Sequence, residues 1–99
     1  MSDEFSNLKR DLDADLLTAR ADLDALTLVC NDLQVKWNTL EAQANSATDA
    51  NDLERAVSLI RGMPAASKAK LKADMKKLNA EVRLGNAESR IRRFNKYNT

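Results

Sequence analysis

Apolar residues recur at alternating spacings of three and four from Phe5 to Ala44. Set on a heptad, position a falls at Leu16, Leu23, Cys30, Trp37 and Ala44. Position d falls at Phe5, Leu12, Ala19, Leu26, Leu33 and Leu40. Lys9 is the one charged residue at a. A seam held over this many repeats is a coiled-coil pattern, because the 3–4 spacing keeps one face of a helix against a partner. Asp3 and Glu4 suit the positive end of a helix dipole. The pattern predicts one long helix over about residues 3–44.

Asn45-Ser46-Ala47-Thr48-Asp49 reads as the loop that ends it. Asn51 followed three residues later by Glu54 resembles a capping box, with Thr48 and Asp49 as alternative caps. Three further helices are expected, over about 50–61, 64–84 and 87–97. Gly62-Met63-Pro64 separates the first two, since Gly suits a helix end and Pro a helix start. Gly85-Asn86 separates the last two. The expected apolar stripe is Leu53, Val57 and Ile60, then Leu71, Met75, Leu78 and Val82. Ala87, Ile91 and Phe94 restart the period in a new phase. The fold class is therefore all-α: an antiparallel helical hairpin or coiled coil, with a long first helix and a broken return arm, that oligomerises. Residues 1–99 form a single helical domain, and 85–99 are a basic C-terminal arm within it.

Heptad position f points away from a seam, yet here it reads Ala14, Ala21, Leu28, Val35 and Ala42. A lone hairpin has no use for apolar residues at that position. These five form the expected partner interface, where small side chains let another helix approach closely.

Charge sharpens this picture. Residues 1–50 hold ten acids and four bases, whereas residues 51–99 hold five acids and twelve bases, so the halves carry −6 and +7. The sign changes where the chain is expected to turn. Folding back would bring 11–24 opposite 71–84, with an acidic face of Asp11, Asp15 and Asp22 against the Lys-rich arm. Exposed pairs contribute only ~0–1 kcal/mol each. Their larger effect is to favour antiparallel pairing over parallel self-pairing. The apolar seam carries the stability, at about 1.5–3 kcal/mol per fully buried large side chain.

Composition narrows the chemistry. Gly and Pro total three and aromatics four, which disfavours a β-rich fold. The chain has no His and one Cys, so the usual general base, a catalytic Ser-His or Cys-His pair and a thiolate zinc cage are all missing. Two glycines, Gly62 and Gly85, cannot build a phosphate-cradling loop. No catalytic, cofactor-binding or metal-binding residue is assigned, no cofactor or small-molecule substrate is expected, and the protein is not expected to be an enzyme. Trp37 and Cys30 read as core. The lone Cys, with no secretory signal or membrane-spanning run visible, points to the cytoplasm.

The expected function is structural or scaffolding, through helix–helix contacts with a protein partner, a homo-oligomer or a larger assembly. Two alternatives use the charged poles. Arg90, Arg92, Arg93 and Lys96, interleaved with Phe94 and Tyr97, would bind nucleic acid as phosphate contacts and a stacking platform. The same arm would otherwise dock on the acidic start of the chain. The acidic helix would alternatively occupy a basic groove of another protein, as an inhibitor does.

Overall fold

The computed structural model describes residues 2–97. Two helices account for nearly all of them: α1, Ser2–Asp49, and α2, Leu53–Tyr97. They pack against each other as an antiparallel hairpin, joined by residues 50–52. The chain divides into two compact units. The end unit combines residues up to Leu26 with those from Lys76 onward, and the turn unit is Thr27–Met75.

The turn comes later than the sequence suggests. Residues 45–49, expected as loop, are the last turn of α1. Ala44 and Ala47 are both buried there, so the seam gains another step and holds the polar residues helical. The Thr48 hydroxyl, Oγ1, donates to the Ala44 carbonyl at 2.9 Å. Asn51 then adopts a left-handed φ of 62°. Its amide donates to the Thr48 carbonyl at 3.0 Å, and the Asp52 amide donates to the Ala47 carbonyl at 2.8 Å. This is a Schellman cap with Asn in the position glycine usually takes. Asp52, rather than Asn51, Thr48 or Asp49, begins α2, because its Oδ1 accepts from the Arg55 amide at 3.3 Å. One residue thus closes the first cap and opens the second. The later turn moves the facing register by about one heptad, and Phe5 meets Phe94 with ring centroids 6.4 Å apart.

On α1 the expected seam is the observed one from Leu12 to Ala44; Phe5, expected at d, is 46% exposed. Leu12, Leu16, Ala19, Leu23 and Leu26 are half-buried in the end unit. Leu33, Trp37 and Leu40 are half-buried in the turn unit, where Cys30 and Ala44 are buried.

On α2 both the expected stripe and the expected breaks are overturned. The helix runs without interruption from Leu53 to Tyr97, through Pro64 and both glycines. Its inward line in the turn unit is Ala56, Leu59, Met63, Ala66, Lys70 and Ala73. In the end unit it is Lys77, Ala80, Leu84, Ala87, Ile91 and Phe94. Ala66, Ala73, Ala80 and Ala87 recur every seventh residue. Leu53, Val57, Ile60, Leu71, Met75, Leu78 and Val82 are all exposed. The two errors share one cause. Ala87, Ile91 and Phe94 look out of phase only against the large apolar residues; against the alanine line they continue the same heptad, and no break is needed. Lys70 and Lys77 keep half-buried positions in that line because their alkyl stems pack while the ammonium groups reach water.

The physical preference for the alanine line is one of fit. α1 presents Leu and Trp side chains, and a ridge of alanines lets the backbone of α2 approach close enough to meet them. Pro64 sits on the exposed side of α2. Its ring is clear of the seam, and Ile60, whose carbonyl loses its amide partner, is 51% exposed.

Gly62 and Gly85 do not end helices here. A Cβ added at either meets nothing within 4 Å, and neither has positive φ. Each Gly→Ala replacement is therefore expected to raise stability by about 0.5–1 kcal/mol. Urea unfolding of the two single variants and the double checks this. A loss at either site would mean the helix is interrupted there.

Candidate interaction surfaces

Three surfaces merit description, two in the end unit and one on the outward sides of both helices. In the end unit, Asp15, Thr18, Ala19 and Asp22 of α1 line a groove of about 360 Å³ with Arg83, Asn86, Ala87 and Arg90 of α2. The seam brings them there: these residues lie on or beside the a and d positions of their helices. Acid and base share the groove, but among the described residues none of Asp15, Asp22, Arg83 and Arg90 forms an ion pair within 4.0 Å. Asp11 lies beside its own neighbour, with Arg10 Nε 3.9 Å from Oδ1. An ion pair of 3.0 Å, Lys36 Nζ to Asp32 Oδ2, is within α1 of the turn unit. The acidic face is thus divided: Asp15 and Asp22 share a groove with arginines, and Asp11 points elsewhere. At such exposure the charges bias pairing direction and add little energy.

The basic arm is the last part of α2. Residues 98 and 99 of it lie outside the described residues. Phe94 belongs to the inward line and tilts at 60° against Phe5. Leu8, Leu12, Arg90, Arg93, Phe94 and Tyr97 line an open depression of about 430 Å³. Tyr97 is 79% exposed, and Lys96 Nζ lies 5.8 Å from its ring centroid, within cation–π range. Arg92 Nη2 donates to Ser89 Oγ at 3.1 Å. Arg90 and Arg93 share that depression, and one of the two aromatics, Phe94, is taken up in packing.

The outward surfaces carry the most apolar area. On α1, Ala14 and Ala21 of the end unit and Leu28, Val35 and Ala42 of the turn unit are all exposed. Leu17, which lies beside that line, is 67% exposed. On α2 of the turn unit, Leu53, Val57, Ile60, Leu71 and Met75 are exposed, with Leu71 at 62%. Leu53, Glu54, Val57, Ser58 and Arg61 line a shallow groove there. In the end unit Leu78 and Val82 are exposed as well. Against this, the buried apolar set is Cys30 and six alanines, and no large side chain is fully buried among the described residues. Sequence reasoning missed the outward face of α2 because it took the larger side chains as core. The signal that identifies it is the seven-residue spacing of Ala66, Ala73, Ala80 and Ala87, which marks the inward line independently.

Among the described residues no three His, Cys, Asp or Glu side chains are grouped to hold a metal ion, and no helix is long and apolar enough to cross a membrane. Set against family models, curated proteins and solved structures, the chain matches none.

Proposed function

We propose that the protein is a non-enzymatic structural or scaffolding component of the cytoplasm, acting through helix–helix contacts and associating with itself. One observation carries the reading. α2 turns Ala56, Ala66, Ala73, Ala80 and Ala87 to the hairpin's own interface and leaves Leu53, Val57, Ile60, Leu71, Met75, Leu78 and Val82 exposed. Single exposed apolars need no explanation, but a run of large ones along one helix marks an interaction surface. A seam without a fully buried large side chain also leaves one hairpin with a small share of its apolar area covered, a deficit that association commonly remedies.

Light scattering over a concentration series tests the reading. The mass is expected to rise above that of one chain, and the thermal midpoint to rise with concentration, because a partner that binds only folded chains stabilises them. A mass fixed at one chain, with a concentration-independent midpoint, would remove self-association.

The second reading, nucleic acid at the C-terminal arm, is favoured by the exposed Arg90, Arg92, Arg93 and Lys96. It predicts oligonucleotide binding that falls steeply with salt. The absence of a mobility shift at low salt disposes of it.

A further inference from the structure

We propose that the outward face of α2 in the turn unit receives the outward face of α1 in the end unit of a second copy of this chain, a head-to-tail contact that repeats. The proposal rests on the self-association reading and goes beyond it by naming the two faces.

Size is the first argument. Within the hairpin, α1 supplies large side chains and α2 supplies alanines. On the outside the roles reverse. The outward α1 line in the end unit is Ala14, Leu17, Ala21 and Ala25, mostly small and all exposed. The outward α2 face in the turn unit is Leu53, Val57, Ile60, Leu71 and Met75, all large and exposed. Large side chains on one face meet small ones on the other, which is how the hairpin's own seam is built.

Charge is the second argument. By helical periodicity Asp11 and Asp24 lie on opposite flanks of the α1 line, which also holds Arg10, and Arg61 and Lys68 lie together on one flank of the α2 face. Whichever direction the two helices run, an acidic flank of α1 therefore meets the basic flank of α2 along one edge of the proposed contact. The competing arrangement is a closed dimer through two α2 faces. An antiparallel pairing about Pro64 would match Leu53 with Met75 and Val57 with Leu71 of the second copy. It would also set Arg61 beside Lys68 of the second copy, and the symmetry would repeat that clash. Like charges so placed select against the closed dimer.

Because the two faces are different patches, each copy keeps one of each unfilled after pairing. Such a heterologous contact makes a ring or an open chain of copies instead of stopping at two.

Two double variants test the proposal with the full chain. Leu17→Gln with Ala21→Gln removes the α1 face, and Val57→Gln with Leu71→Gln removes the α2 face. All four positions are exposed, so circular dichroism is expected to show unchanged helix. In sedimentation over a concentration series, the unaltered protein is expected to grow beyond two copies, and each variant alone to stay at one. An equimolar mixture is expected to give a species of two copies and no larger, because one intact face of each kind remains. Raising salt from 0.05 to 0.5 M should weaken growth of the unaltered protein, by screening of acid–base pairs. Dimerisation of the α1-face variant alone would overturn the proposal in favour of the closed dimer, leaving self-association intact. Two monomeric variants that fail to combine would overturn it too. A monomeric unaltered protein would overturn both this inference and the reading beneath it.

Discussion

Replacing Ala80 with leucine is expected to destabilise the hairpin by about 1–3 kcal/mol, an overpacking cost. Ala80 is the most enclosed residue described, at 1% exposure. Its neighbours in the heptad, Ala73 and Ala87, are buried as well. The spacing between helices in the end unit is set by the absence of side-chain bulk on this line. Three extra heavy atoms must push α2 away from the facing seam of α1 or force strained rotamers. Leu78→Ala is the matched control. Leu78 is 60% exposed, so its truncation should cost less than about 1 kcal/mol, far below the ~2–5 kcal/mol of a core leucine. The measurement is denaturant unfolding at a concentration low enough to keep copies apart. If the order were reversed, with Leu78→Ala costly and Ala80→Leu neutral, α2 would present its large residues inward and the interface described above would be wrong.

The second large effect concerns Pro64. Pro64→Ala is expected to stabilise the protein by about 2 kcal/mol. A proline inside a helix costs roughly 3 kcal/mol through a lost hydrogen bond and a ring clash, and part of the gain from removing it is offset by the freer unfolded chain. α2 passes through Pro64 without a break, so an alanine there would restore the bond from residue 64 to the Ile60 carbonyl. Equilibrium unfolding gives the sign, and amide exchange at residue 64 reports the restored bond. A neutral or negative result would indicate that the helix ends before Pro64. The cost of this proline is tolerable because Leu59 and Met63 on one side, and Ala66 on the other, hold the inward line in register.

Most of α1 was legible in the sequence. The 3–4 spacing from Leu12 to Ala44 names its inward residues directly, because large apolar side chains occupy eight of the twelve a and d positions from Phe5 to Ala44. The all-α class follows from the scarcity of Gly, Pro and aromatics, and the direction of pairing agrees with the change of charge sign between the halves. What the pattern could not decide was which of two candidate lines on α2 faces inward. Hydrophobicity alone favours Leu71, Met75, Leu78 and Val82. The observed choice is the alanine line, because a flat ridge permits the close approach that α1's leucines and Trp37 require. That is a property of the pair of helices, and neither helix states it alone. The same holds for the turn. Asn45, Ser46 and Thr48 favour a loop by local preference, but burial of Ala44 and Ala47 extends α1, and Asn51 then makes the reversal with a left-handed φ. Local chemistry determined that this chain is helical and where its charges lie. Packing between the helices decided where it turns, that Pro64 lies within a helix, and which apolar face is left outside.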